Sequence, residues 1–405
     1  MTPVTGPPNT LSELTGRAEH VIPTEELAAK LDEGRALRVK LGLDPTARDV
    51  TLGWAVPLRK LRDFQDAGHT AVLILGDFTG RIGDPSGKSE TRPQLTRDEV
   101  RANAEACLEP LMDILSSDNL EVRYNSEWLE PMDLSDLLNL TSRYTVAQML
   151  ERDDFAKRYS QQRPISIVEF MYPLMQAYDS VAVEADVELG GTDQLFNLLV
   201  GRDLQRSFGQ SPQVVMTMPL LEGLDGIQKM SQSLGNYIGI REAPEEMFGK
   251  VMSIPDRLVV RYAELATDLP SDDVAELSAM ADGGGPSAGE AKRRVARAIA
   301  ARYHGADAAQ AAEAAFDRQF KEGAVPEEIP SAEIPADAID GEDVYLPRVL
   351  AELGLAASRS EARRLIAQQG VKVNGETVSV ESLSLVDLRG ATVQVGKRRF
   401  VRLAG

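Results

Sequence analysis

Residues 37–77, LRVKLGLDPTARDVTLGWAVPLRKLRDFQDAGHTAVLILGD, decide the fold class. Leu37, Val39, Leu41 and Leu43 alternate with Arg38, Lys40 and Gly42, which is the period of a strand. Leu58, Leu61 and Phe64 or Gln65 then recur at helical spacing, and Gly68 stands where a helix end favours a left-handed residue. Residues 70–75 form an apolar run ending in Gly76-Asp77, as expected of a strand buried on both faces. Strand, helix and strand within about 40 residues make a right-handed crossover of a parallel sheet, whose ligands lie beyond the carboxyl ends of the strands. Asp44 and Asp77 fall at those ends. Between them Thr51-Leu52-Gly53-Trp54 opens the helix, where unpaired N–H groups and the positive dipole end make a candidate anion site.

The 405 residues are enough for two or three domains, with 43% hydrophobic and 26% charged residues, the balance of a globular chain. No apolar run approaches the roughly 20 residues of a membrane span, and residues 1–13 lack a signal-peptide core, so a cytoplasmic protein is expected. Cys107 is the single cysteine, which excludes an internal disulfide and a multi-cysteine metal site. With three histidines, His20, His69 and His304, a histidine metal site or a Ser-His-Asp triad has few candidates and no metal site is expected. The net charge of −19 argues against binding nucleic acid over the whole surface. Chemistry must rest on Lys, Arg, carboxylates, amides and backbone.

Around the crossover, residues 1–22 read as a loose arm and residues 24–31 as a short helix, giving an N-terminal segment 1–35. The loop 78–92 collects Gly80, Gly83, Asp84, Pro85, Gly87, Lys88 and Arg92 after a strand. Helices are expected over 97–116 and 134–154, with a strand at 120–124. On a helix over 165–179, Tyr172, Gln176 and Asp179 share one polar face among apolar neighbours. Burying such a face unpaired costs about 1–3 kcal/mol per group, so a ligand or an internal network must satisfy it. Gly190-Gly191-Thr192-Asp193-Gln194 repeats the glycine-rich junction, a strand follows at 213–218, and Lys229-Met230-Ser231-Gln232-Ser233 sits in a glycine-flanked loop, 222–236. Residues 243–304 read as helical with a break at Gly283 to Pro286, and 320–343 as an acidic, proline-rich linker. From Val344 on, ten cations face five anions, a local net of +5 that points to a small RNA-binding module.

Together these stretches resemble the bacterial tyrosyl-tRNA synthetase family of class I aminoacyl-tRNA synthetases. The resemblance covers about residues 37–403 and rests on Gly42-Leu43-Asp44-Pro45-Thr46, residues 80–88, residues 172–179, Gly190 through Gln194 and Lys229-Met230-Ser231. It implies an α/β protein: a Rossmann-like parallel-sheet catalytic domain (36–225), an α-helical domain with the phosphate loop (226–325), the linker (326–343) and a small α+β RNA-binding domain (344–405). It implies tyrosine or a close analogue, ATP with Mg2+ and tRNA(Tyr) as partners, no redox cofactor, no membrane, and a homodimer. By the same resemblance Asp179 and Lys40 take the phenol, Tyr172, Gln176 and Asp84 the ammonium, and Gln194 and Asp44 the carboxylate and adenylate. Asp193 takes the ribose, with Gly53, Trp54, Gly191, Met230 and Ser231 around the nucleotide. Thr46, Thr51, Lys88, Arg92 and Lys229 serve the phosphates, and Arg359, Arg363, Arg364, Lys372, Arg398 and Arg399 the RNA. Rejection of phenylalanine by a buried hydrogen-bonding group is the established logic of this very family.

The sequence departs from the family where ATP is activated. The family's His-x-Gly-His is Thr51-Leu52-Gly53-Trp54 here, and its Lys-Met-Ser-Lys-Ser is Lys229-Met230-Ser231-Gln232-Ser233. Losing one preorganised donor typically costs about 10²–10³ in rate, so adenylation is expected to be impaired or altered. The alternatives are a paralogue that binds tyrosine without normal tRNA charging (a biosynthetic ligase, an inhibitor-resistance variant or a regulator) and a non-catalytic RNA-binding protein. A nicotinamide oxidoreductase is disfavoured, because no Gly-x-Gly-x-x-Gly follows the first strand.

Overall fold

A computed structural model describes residues 10–45, 49–82, 96–320, 329–396 and 399–404. It forms two compact units, Met1–Ala312 and Glu313–Gly405. In the first, six strands make one sheet: β1 (His20–Ile22), β2 (Arg38–Leu43), β3 (Thr70–Leu75), β4 (Leu120–Tyr124), β5 (Val187–Gly191) and β6 (Val214–Met218), in the order β1-β6-β5-β2-β3-β4. All neighbours are parallel except β1 and β6. Lys40 of β2 lies between Val72 of β3 and Glu188 of β5, so the chain leaves β2 toward one side and returns at β5 on the other. That reversal opens a crevice at the carboxyl ends of β2 and β5, where open α/β sheets bind ligands.

The helix Leu52–Asp66 carries the chain from β2 to β3. Thr51 is its N-cap, accepting the Trp54 N–H on its hydroxyl, and Leu52, Leu58, Leu61 and Phe64 are fully buried beneath it. Each such side chain contributes about 1.5–3 kcal/mol, and this face fixes the helix against the sheet. The helix Ile167–Ala182 buries Leu174, Ala177 and Val181 in a second cluster with Val200 and Leu204 of the helix Leu195–Ser207.

Several sequence expectations need correcting. The arm is not loose over its described part: residues 11–15 form a helix with a complete capping box at Thr10, and β1 pairs with β6, His20 opposite Thr217. The helix expected over 134–154 is three, Leu134–Thr141, Val146–Met149 and Asp153–Ser160; Thr145 opens the second with a capping box of its own, and the third starts after Arg152 without one. The helical run 243–304 is divided into Pro244–Ser253, Val259–Ala266, Ser271–Asp282 and Gly285–His304, with Pro255 and Pro270 at N-cap positions between them. The break expected at Gly283 to Pro286 is present, with Gly283 and Gly284 between the last two helices and Gly285-Pro286 starting the second of them.

In the second unit the stretch read as linker supplies strands. Ser331–Ala332 pairs in parallel with Arg399–Leu403, and Ile339–Asp340 pairs with Asp343–Tyr345. Val344, Leu346, Val349, Leu350, Val371 and Leu403 form its core. The helices Leu346–Glu352 and Arg359–Ala367 pack beside the sheet that holds Val371–Val373, Thr392–Val395 and Arg399–Leu403.

Candidate active site

At the crevice a cavity of about 580 Å³ reaches from Asp179 and Asn125 past Asp44 and Gln194 to Trp54 and Gln232. Its floor is polar. Asp179 is buried, and its carboxylate accepts the Trp128 indole N–H at 2.8 Å and the Asn125 amide at 3.3 Å. Loss of solvent pushes this carboxyl up to about 7, against the pull of Lys40 and of the two donors. Beside it the Tyr172 hydroxyl donates to Asp44 at 2.8 Å, and Thr79 donates to the other Asp44 oxygen at 2.8 Å. Gly76 makes that placement possible, since a Cβ there would lie 2.0 Å from the Asp44 carboxylate.

Lys40 does not line the cavity. Its ammonium donates all three protons inward, to the Gln176 carbonyl at 2.9 Å, the Ser180 hydroxyl at 2.8 Å and Glu188 at 2.8 Å. A fully buried cation needs such a partner, and Glu188 is buried with it. The expected contact between Lys40 and a phenol is therefore replaced by an electrostatic influence on Asp179. The Gln176 side chain is likewise engaged, accepting from Asn197 at 3.0 Å. Gln194 accepts the Gly191 N–H at 3.3 Å.

The opposite end is closed by the loop 222–236. Met230 is buried, its N–H donates to the Leu221 carbonyl, and its Cβ sits 3.3 Å from where Gly53 would carry one. Lys229 pairs with Asp193 at 2.5 Å, and Gln232 donates to the Asp49 carbonyl at 2.7 Å. Ser231 and Lys229 are both tied to Asn236, whose amide also donates to Asp225 at 2.7 Å. The anion site expected at the helix start is largely consumed: the Leu52 N–H goes to the Ile238 carbonyl and the Trp54 N–H to Thr51.

Asp44, Thr51, Gly53, Trp54, Tyr172, Gln176, Asp179, Gly191, Asp193, Gln194, Lys229, Met230 and Ser231 thus meet around one cavity, while Lys40 stands behind its wall. Thr46, Asp84, Lys88, Arg92 and Arg398 lie outside the described residues. Sequence reading missed Asn125, Trp128 and Thr79, which orient the two carboxylates. Asn125 and Trp128 follow the carboxyl end of β4, and that position was the available signal. Among the described residues no group of three or more His, Cys, Asp or Glu side chains is gathered as for a metal ion.

In the second unit Arg359, Arg363 and Arg364 project from one short helix with side chains more than half exposed. Arg363 also donates to the Tyr345 hydroxyl at 2.7 Å. Lys372 is exposed, and the Arg399 guanidinium is anchored on the Leu355 carbonyl.

Residues 32–321 match the family of class I tRNA synthetases (W and Y), and residues 346–383 match the S4 domain. The chain is 52% identical over 387 residues to a tyrosine–tRNA ligase of Moorella thermoacetica, covering 95% of this chain and 92% of that one. It is 54% identical over 379 residues to a tyrosine–tRNA ligase of Geobacter metallireducens, covering 94% and 93%. A C-terminally truncated mitochondrial tyrosyl-tRNA synthetase of Aspergillus nidulans shares the fold, with a TM-score of 0.63 at 22% identity over 77% of this chain and 95% of that one. The tyrosyl-tRNA synthetase of Archaeoglobus fulgidus, solved with L-tyrosine, gives 0.59 at 23% identity, over 75% and 98%. With a class I sheet whose switch point carries this cavity, and an S4 domain later in the sequence, the chain belongs to the tyrosyl-tRNA synthetase family of class I aminoacyl-tRNA synthetases.

Proposed function

We propose that this chain holds tyrosine with its phenol on Asp179 and its ammonium near Tyr172, Gln176 and Asp84. Activation with ATP to tyrosyl-adenylate, for transfer to tRNA(Tyr), then proceeds at an impaired rate. The observation that carries the reading is the Asp179 carboxyl, buried at the cavity floor and oriented by Trp128 and Asn125. A phenol adds a further hydrogen bond to that carboxyl, whereas phenylalanine would bring a bare ring edge against it and forgo that bond, at a cost of about 1–3 kcal/mol.

Attack of the tyrosine carboxylate on the α-phosphorus of ATP needs donors around the phosphates more than a covalent group. Lys229, Thr51 and Thr46, with Lys88 and Arg92, are the groups assigned to that task, and Mg2+ arrives with the nucleotide. Gln232 spends its amide on the Asp49 carbonyl, which supports the impairment, and Thr51, accepting from Trp54, keeps its O–H proton for a phosphate. Tyrosine-dependent exchange of pyrophosphate into ATP tests it, run beside a Thr51→His, Trp54→His, Gln232→Lys variant. Weak exchange that the variant raises by about 10² is expected, the worth of one recovered donor. Exchange already at a full rate and unmoved by the variant rejects the impairment. The pairing of Lys229 with Asp193 favours a second reading, a tyrosine-binding paralogue without normal charging. Intact tyrosine binding with no exchange in either protein selects it.

The proposal includes a homodimer. Leu134, Leu138, Val146 and Ile167 are large apolar side chains left exposed on the helices between β4 and β5, and exposed apolar patches mark association surfaces. Sedimentation should show a dimer that Leu138→Asp dissociates; a monomeric parent rejects it.

A further inference from the structure

We propose that a second cavity, behind the helix Leu52–Asp66, binds a compact phosphate-bearing anion, a free phosphate or small phosphate ester and not nucleic acid. Its volume is about 550 Å³. It lies between the outer face of that helix, the turn after the helix at 11–15, the carboxyl end of β6, the end of the helix Val259–Ala266 and the helix Gly285–His304.

Five cations line it, Arg17, Arg59, Lys60, Arg62 and Arg302, in a chain whose net charge is −19. The four carboxylates among them do not balance that charge. Arg62 closes on Asp66 at 2.7 Å and Lys60 on Asp63 at 2.8 Å, while Glu13 accepts the N–H and the O–H of Thr10. The remaining carboxylate, Asp268, is divided between two guanidiniums, those of Arg59 and Arg302. Among the described residues no carboxylate pairs with Arg17, whose guanidinium reaches the Thr267 carbonyl at 3.5 Å.

The cations are also arranged by depth. Arg59 and Lys60 have side chains 9% and 3% exposed, whereas Arg17 is exposed at the mouth. Arg59 is held in place by donating to the Leu265 carbonyl at 3.0 Å and the Thr267 carbonyl at 2.8 Å. Loss of solvent pulls its guanidinium down to about 10, and Arg302 adds to the effect. The Lys60 ammonium is lowered by loss of solvent in spite of Asp63, with Arg17 and Arg59 adding their repulsion. Cations that disfavour one another around a recess are relieved by an anion placed among them. Guanidinium forks and an ammonium match phosphate oxygens, and a site whose deepest cations are buried admits a small tetrahedral anion where an RNA helix would stay at the surface.

Calorimetric titration of the full chain with inorganic phosphate, in a chloride background of constant ionic strength, tests the site. One saturable site is expected. Arg17→Glu should weaken it by about tenfold or more, since a charge-assisted contact becomes a repulsion. Lys229→Ala should leave it unchanged, a control needed because Met218 borders this cavity and the crevice alike. Phosphate should also raise the unfolding midpoint of the parent and not that of Arg17→Glu, the two midpoints agreeing without phosphate; Arg17→Gln replaces the variant if they do not. Affinity for tRNA should be the same in parent and variant. Absence of saturable binding, binding lost in Lys229→Ala, binding indifferent to Arg17, or weaker tRNA binding by the variant each overturns the proposal.

Discussion

Asp179 holds its proton into the neutral range because burial outweighs the attraction of Lys40 and the donors Trp128 and Asn125. The sign of its effect on stability follows. An unfolded aspartate ionises near 3.9, whereas the folded carboxyl ionises at about 7. The native state keeps a proton that the unfolded chain has released, so its contribution is fully present below about 4 and is lost as pH rises toward 7. Urea unfolding of the parent should lose up to about 4 kcal/mol across that window relative to Asp179→Asn, whose amide does not titrate; parallel pH profiles of the two proteins would contradict the assignment. Lys40 makes a separate case. Lys40→Met leaves Glu188 buried without its cation, and the expected loss is about 3–5 kcal/mol in denaturant unfolding, while a loss below about 1 kcal/mol would show that Glu188 is not held as an anion. The face carrying Tyr172, Gln176 and Asp179 was legible because helical period brings the three together. The partners of Asp179 were not, since Asn125 and Trp128 lie more than 50 residues away and only the closed sheet brings them in.

Among the elements, the crossover built from β2, the helix Leu52–Asp66 and β3 was readable from alternation and helical spacing alone. β1 was not, because three residues carry no period and their strand character comes from pairing with β6. The loop 222–236 shows the same limit. Its glycines and Lys-Met-Ser marked a phosphate loop but not its anchors: the folded loop pairs with Asp193 and Asp49 and is tied within itself through Asn236. Thr51 carries the corresponding test for the helix. Thr51→Ala removes the cap and should cost about 1 kcal/mol, and Thr51→Ser should restore most of it. Equal unfolding midpoints for the parent and the alanine variant would show that the Ile238 contact alone secures the helix start.

Over the whole molecule, charge is uneven along the sequence: a chain of −19 ends, from Val344 on, in a stretch of +5. That asymmetry was visible without a structure, and the S4 match over residues 346–383 falls within it. The extent of the module was not visible, because the acidic, proline-rich composition before it disguises Ser331–Ala332 and Ile339–Asp340 as linker. Phosphate contacts made by exposed cations raise affinity without reading sequence and weaken with salt, each contributing about one unit to the slope of log K against log salt. Arg363 and Arg364, exposed on the helix Arg359–Ala367, are placed to act in that way. A full-length Arg363→Glu, Arg364→Glu variant should therefore bind tRNA more weakly at every salt concentration, with the slope shallower by about two. Tyrosine affinity, set by the other unit, should not change. An unchanged salt slope in filter binding would remove this helix from the RNA contact and shift it to Lys372 and Arg399 on the neighbouring strands.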